Sequence, residues 1–325
     1  MSERAATLQT TNLWVIALGA VVALLALAIA TGTITISQRY ISQMMIGVSV
    51  AAILVIAAVG LAIIFGVAGV INMAHGQFIM VGAYTAAVVG QLGGNTFVAI
   101  PVAFAVVALL GLIVERGIIQ WIYDRPLETL LATWGVGIIL EVLIKAIFGP
   151  ELYYVGAPKV LDGGLRLIGR LPYPYYRLFL IGMAILMLAV TYYLIYRTDF
   201  GLKVRAVRRN RAMAGCLGIN TARIDMLIFM FGSGLAGIAG AVLAPIKSVS
   251  TTMGFSYAVD SYMVIVLGGV GNLLGVPTGS FLIGEGETLI ATGTNSVIGK
   301  LLVFVFIVIA IRIVPRGIFG YQERR

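Results

Sequence analysis

Long uncharged apolar runs, separated by short polar ones, dominate the chain. Met45 to Phe65 and Phe78 to Phe104 carry no charge, and between them Asn72, His75 and Gln77 sit among glycines in the stretch Gly69–Ala83. Apolar segments that approach or exceed the ~20 residues needed to cross a bilayer fall near 12–30, 43–66, 77–92, 96–114, 130–148, 178–196, 225–246, 258–271, 276–292 and 298–314. The alternating short segments of a membrane β-barrel are absent. The pattern therefore predicts an all-α, polytopic transmembrane bundle of about ten spans. Polar side chains and helix-loosening glycines at membrane depth are costly unless they face protein or a water-filled path. The pieces flanking Asn72 and Asn272 are thus expected to be broken or re-entrant helices, made for a polar passage or for close helix packing.

An internal echo organises these spans. Gly69-Val70-Ile71-Asn72 recurs as Gly269-Val270-Gly271-Asn272, each at the end of an apolar helix and before a glycine-rich restart. Both run in the same direction in a ten-pass chain, which predicts a parallel repeat of 43–148 and 225–314 within one domain, 1–325. Transporters often place their path where repeats meet at discontinuous helices. The first span has two readings. Arg4, the apolar run and Ala28-Ile29-Ala30 mimic a secretory signal, but an apolar core of about 18 residues exceeds the roughly 7–15 of such signals. A retained extra helix at 12–30 is the preferred reading.

Composition agrees with lipid as the main solvent. Residues are 60% hydrophobic and 11% charged, with a mean hydropathy of +1.05, against roughly 25% charged in soluble domains. A single Cys216 and a single His75 exclude a disulfide framework and a multi-Cys or multi-His metal site. The net charge of +9 would suit nucleic acid, but the basic residues cluster beside membrane segments, where positive-inside topology explains them. Arg197, Lys203, Arg205, Arg208, Arg209, Arg211 and Arg223 face only Asp199 in the 197–223 loop, whereas Lys159, Arg166, Arg170 and Arg177 face Glu151 and Asp162 in 149–177. The first loop is therefore placed in the cytoplasm, with Arg116, Arg125, Arg316, Arg324 and Arg325, and 149–177 becomes a periplasmic loop.

Single residues carry competing readings. Gly69, His75, Gly76, Gly269 and Gly271 read as helix-break residues, with His75 capping the break or bonding a neighbouring carbonyl. Asn72 and Asn272 either face the path or satisfy freed backbone groups. Asp260 is an intramembrane acid or an interfacial N-cap. Glu128 suits the dipole of a first helical turn, while Glu285 and Glu287 face a cavity or approach the outer surface. Gly232 to Gly240 form a packing face. After the basic run comes Ala212 to Ile219, a small-residue helix that stops at Gly218, with Asn220 and Thr221 placed to start the next one. It suits docking into a partner's groove or lying on anionic headgroups. No phosphate-cradling Gly-x-x-x-x-Gly-Lys-Ser/Thr loop occurs. Paired carboxylates, a His-rich motif and an activated Ser or Cys are also missing, so an enzyme is not expected.

Several of these motifs resemble one family. Asn72-Met-Ala-His-Gly-Gln-Phe78 with Gly82-Ala-Tyr84 looks like the signature of permeases of the branched-chain amino acid family of ABC importers. Ala214-x-x-x-Gly218-Ile-Asn220 resembles that family's coupling segment. Gly232 to Gly240, Gly268-Gly-Val-Gly-Asn272 and Pro315-Arg-Gly-Ile-Phe319 match in the same order, over about residues 43–320. Arg125 to Gly135 and Val259 to Val264 look more like the urea-permease branch, and Gln77 stands where many relatives have an acid. The resemblance implies an inner-membrane subunit of a bacterial importer, paired with a related but different permease chain. It also implies a periplasmic binding protein and two ATPase subunits that hold ATP and Mg, with no cofactor in this chain. Arg205, Arg208, Arg209, Arg211, Ala214 and Gly218 would then lie in the ATPase-coupling segment.

The expected substrate is urea or a related short amide. Urea is small, neutral and planar, and a path for it needs amides and hydroxyls without strong fixed charge. Asn72, Gln77, Thr129, Thr133 and Asn272 fit that requirement. The alternative is a branched-chain or other amino acid, which wants an apolar pocket and partners for its ammonium and carboxylate. A stand-alone channel or facilitator is a further alternative, which has no need of the basic docking loop.

Overall fold

The computed structural model describes residues 38–123, 125–165, 173–315 and 317–319. Contacts divide the chain into two compact units, 1–43 and 44–325. Only the helical start at 38–43 is described in the first, and the other described residues all belong to the second. The expected helix at 12–30, with its signal-like alternative, lies outside the described residues, as do Arg4, Arg166, Arg170, Arg316, Arg324 and Arg325.

Eleven α-helices appear among the described residues. They are α1 (Gln38–Ile63), α2 (His75–Gln91), α3 (Thr96–Gly117), α4 (Pro126–Phe148), α5 (Tyr175–Arg197) and α6 (Asp199–Arg209). After them come α7 (Arg211–Cys216), α8 (Thr221–Leu243), α9 (Met253–Gly268), α10 (Gly275–Gly293) and α11 (Ser296–Ile313). Side chains mark many of the starts. Asn95, Asn220 and Asn295 each accept a hydrogen bond from the backbone N–H three residues on, while Pro126 opens α4 with Glu128 in its first turn. The only strands among the described residues are Gly164–Leu165 and Tyr173–Pro174, an antiparallel pair in the 149–177 loop.

Six stretches are long and apolar enough to cross a membrane: Ser42–Ala68, Thr96–Trp121, Pro126–Phe148, Tyr175–Arg197, Thr221–Leu243 and Ser296–Ile313. The sequence pattern suggested about ten. At 77–92 and 258–271 stand α2 and α9, with 17 and 16 residues, and at 276–292 stands α10, which carries Glu285 and Glu287. Both short helices adjoin a chain break, so the backbone that would lengthen them is used in the turns.

The core forms around α2, α3, α8 and α9, where small residues let backbones touch. Water does not drive helices together inside lipid, so close van der Waals packing must hold them. A Cβ at Gly82 would lie 2.3 Å from the Gly237 carbonyl oxygen, and one at Gly240 would lie 1.9 Å from that of Ile79. The Gly232 to Gly240 run is therefore the packing face of α8, as its spacing suggests.

Candidate functional site

The first chain break is a folded device. Below Ile63 the helix widens into a π turn, Ile64–Ala68, which Gly69 ends in the left-handed region at φ +74°. Asn72 is fully buried, and its Oδ1 accepts from the Ala74 N–H at 3.1 Å while its carbonyl accepts from the His75 N–H at 3.2 Å. The Thr133 hydroxyl on α4 accepts from the Met73 N–H at 3.0 Å and lies 3.2 Å from the Ile71 carbonyl. His75 is fully buried and donates from Nε2 to the Ala57 carbonyl at 2.8 Å, which fixes its tautomer and ties α2 to α1. Thr129 donates to the Arg125 carbonyl at 2.8 Å and supports the start of α4.

The second break repeats the local geometry with different surroundings. Asn272 Oδ1 accepts from the Leu274 N–H at 3.0 Å, and its carbonyl accepts from the Gly275 N–H at 3.1 Å. Unlike Asn72 it is half-buried, and its amide donates to the Phe319 carbonyl at 3.2 Å. Ile318 and Phe319 donate in turn to the Leu267 and Gly268 carbonyls at 2.9 and 3.0 Å. The chain after α11 therefore satisfies the last carbonyls of α9, which a helix end leaves without internal partners.

The two breaks meet. A Cβ at Gly66 would lie 3.1 Å from the Gly271 Cα, and one at Gly271 would lie 2.6 Å from the Arg208 guanidinium. Arg208 belongs to α6, which Thr198 caps and whose Val204 and Val207 are buried. The basic run was expected to precede the loop's helix. Instead most of it is helical, and Asn210 interrupts it and caps α7 by accepting from the Met213 N–H at 2.9 Å. Gly218, at φ +78°, ends the turn after α7 with paired bonds from Gly218 to Gly215 and from Ile219 to Ala214. Behind α6 lies a cavity of about 280 Å³ that reaches Gly69, Tyr123, Arg208, Arg211 and Asp225. Arg211 Nη2 is 2.7 Å from Asp225 Oδ2, and its guanidinium lies 5.1 Å from the Tyr123 ring centre. Met213 and Leu217 are 57% and 74% exposed on the same face.

A larger cavity, of about 470 Å³, lies between α2 and α4 on one side and α9 and α11 on the other. Trp134, Ile138, Phe255, Val259, Met263 and Phe304 supply apolar walls, and the polar side chains lining it are Gln77, Glu141 and Tyr262. The family model described as branched-chain amino acid transport system / permease component matches residues 43–311.

The chain belongs to this permease family. It is 25% identical to the high-affinity branched-chain amino acid transport system permease protein LivH of Salmonella typhimurium, over 87% of this chain and 96% of that protein. With the probable branched-chain amino acid transport permease protein LivH of Methanocaldococcus jannaschii it shares 28% identity over 84% and 90% of the two chains. With LivM of Escherichia coli, a high-affinity branched-chain amino acid transport system permease protein, it shares 24% over 71% and 60%. No solved structure matches the chain. The protein is thus a transport subunit of the inner membrane, not an enzyme. The family expectation holds, while the finer expectation of a urea permease finds no support in these matches.

Within the permease, the five expected path residues separate. Gln77 lines the large cavity, and Asn72 and Thr133 lie together at the first break. The Thr129 and Thr133 hydroxyls are committed to backbone groups, and Asn272 is at the other break, bonded to the tail. Of the five, Gln77 alone lines the cavity. Of the break residues, Gly76 packs against Gly254 and Gly269 turns at φ +107°. Of the coupling residues, Ala214 is buried, Arg209 is exposed, and Arg205 bonds the Ile195 carbonyl. Asp260 is not an N-cap: it lies within α9, paired with Lys300 Nζ at 2.8 Å. Glu128 pairs with Arg125 at 2.9 Å, and Glu285 is buried against Gly47 of α1. Glu141, Asp225 and Tyr262 were missed. Glu141 was the most accessible to sequence reasoning, as the sole acid within the run Thr129–Ile144.

Proposed function

We propose that this subunit carries a branched-chain or other aliphatic amino acid inward through an ABC importer. The observation that supports this reading best is the apolar-walled cavity beside the first break. Burying a Val, Leu or Ile side chain contributes about 1.5–3 kcal/mol, whereas urea has no aliphatic surface for such walls to take. The relatives' names point to the same substrate class.

In this reading the chain pairs with a second, related permease of the LivM kind, receives substrate from a periplasmic binding protein, and is driven by two ATPase subunits holding ATP and Mg. The ten-pass topology and the parallel repeat belong to the same proposal: 12–30 and the nine longer described helices cross or enter the membrane, with α6 and α7 in the cytoplasm. Met213 and Leu217 favour a docked partner over a stand-alone channel, because exposed apolar side chains on a polar face call for a cover. Motion of α6 would then reach both breaks through Arg208, Gly66 and Gly271.

The experiment is ATP-driven uptake by the reconstituted complex with its binding protein, offered radiolabelled leucine and urea in parallel. Leucine uptake is expected. Uptake of urea without leucine refutes the reading.

A further inference from the structure

We propose that Glu141 and Gln77 form an ammonium-binding corner in the large cavity, which orients an aliphatic amino acid with its amine toward α4 and its side chain along the apolar walls. This rests on the amino-acid reading above and names the residues that recognise the charged end.

Gln77 is only 6% exposed, and its Oε1 has no hydrogen-bond partner among the described residues. It points at α4, where a Cβ on Gly137 would lie 3.3 Å from that oxygen. Glu141 follows Gly137 by four residues, so it stands on the same helix face about one turn, or 5.4 Å, farther along. Glu141 lines the cavity, is half-buried, and makes no ion pair or hydrogen bond among the described residues. Lys145, one turn beyond, is exposed and does not pair with it.

Two acceptors, one of them charged, therefore converge on one space. The cavity's other polar side chain, Tyr262, also has a buried hydroxyl without a hydrogen-bond partner among the described residues, a neutral group that can accept a further N–H. An intramembrane carboxylate is expensive without a counter-charge, and a buried amide oxygen is expensive without a donor. A primary ammonium removes both costs, since it brings three N–H donors and a positive charge. Urea brings donors but leaves the carboxylate uncompensated. Ile138, Val259 and Met263 then face the aliphatic part of the ligand.

The test uses the intact importer. The purified complex, without binding protein, is assayed for retention of radiolabelled leucine and of 4-methylpentanoate, which is leucine without its amine. ATP-driven leucine uptake is measured on the reconstituted complex in parallel. We expect the unmodified complex to prefer leucine, and Glu141→Gln to erase that preference and slow uptake about tenfold or more, as for loss of one charge-assisted bond. Glu128→Gln, an exposed acid on the same helix, should change neither. The swap Gln77→Glu with Glu141→Gln returns an acid to the same corner and should restore the preference. A retained preference in Glu141→Gln overturns the proposal, and so does failure of the swap to restore it. If the unmodified complex imports no leucine, the amino-acid reading itself fails, before any substitution is made.

Discussion

Replacing Arg211 with methionine tests how the basic loop is anchored. Its guanidinium lies 2.7 Å from Asp225, whose side chain is 6% exposed against 42% for Arg211. Glu115, also buried, sits behind Tyr123, whose hydroxyl is 3.5 Å from its carboxylate. Exposed ion pairs contribute about 0–1 kcal/mol, and removing one partner of a buried pair costs about 3–5 kcal/mol. With one partner buried and the other partly in solvent, the Arg211→Met loss should be roughly 2 kcal/mol. Most of that is the penalty of leaving Asp225 charged and unpaired. Asp225→Asn removes the charge that needs a partner, so the double variant should recover most of the loss. Asp225→Asn alone should be the mildest, because Arg211 can turn to water. The assay is thermal stability of the detergent-purified permease pair, read as the monodisperse fraction after heating, with ATP-driven uptake alongside. If Arg211→Met melts like the unmodified protein, or the double variant is no more stable than Arg211→Met, the anchoring argument is refuted. A double variant that regains stability without uptake would assign Arg211 an outward role on the partner ATPase.

Gly76→Val should destabilise the permease by at least about 1–3 kcal/mol, because a Cβ there would fall 1.8 Å from the Gly254 carbonyl oxygen, a backbone atom that cannot turn aside. Gly135→Ala, which meets open space, is the control, and equal melting of Gly76→Val and the control refutes the contact. Ending the chain at Pro315 removes the donors to Leu267 and Gly268 and the acceptor for Asn272. Each such bond contributes about 0.5–1.5 kcal/mol, so amide hydrogen exchange over 265–275 should accelerate. Unchanged protection there would show that the tail does not hold the second break.

Much of this architecture was legible because it depends on local chemistry. Gly-x-x-Asn before a helix restart predicts a turn, and at both Asn72 and Asn272 the side chain bonds the N–H two residues on. Gly218 ends a helix for the reason its position suggested. Spatial partners were not legible. Nothing adjacent in sequence tells that Asp225 meets Arg211, that Asp260 meets Lys300 forty residues later, or that Glu141 and Gln77 share a cavity. The likeness of Arg125 to Gly135 to urea permeases carries little information about the substrate for a related reason. Thr129 and Thr133 looked like hydroxyls for a polar substrate, yet they serve the backbone of α4 and of the first break. A motif that builds a turn reports the turn, whatever passes beside it.

The bonds at the two breaks sort the cavity walls into two bodies. His75 fastens α2 to α1, and Thr133 fastens α4 to the first break, so hydrogen bonds link α1, α2 and α4. Ile318, Phe319 and Asn272 fasten the chain beyond α11 to the end of α9, so α9, α11 and the second break form the other body. The cavity lies between them, with Gln77 and Glu141 on one wall and Phe255, Val259 and Phe304 on the other. Across that division the bodies touch through glycine backbone, Gly76 on Gly254 and Gly66 beside Gly271, and through the Phe65 and Tyr262 rings, whose centres are 6.2 Å apart. Such contacts have shape but little directional bonding, so sliding along them breaks few hydrogen bonds. Arg208 of α6 stands at one of these seams, beside Gly271. A push on the basic loop would therefore bear on the seam between the bodies rather than on either body alone, which is where a small displacement changes the width of the cavity most.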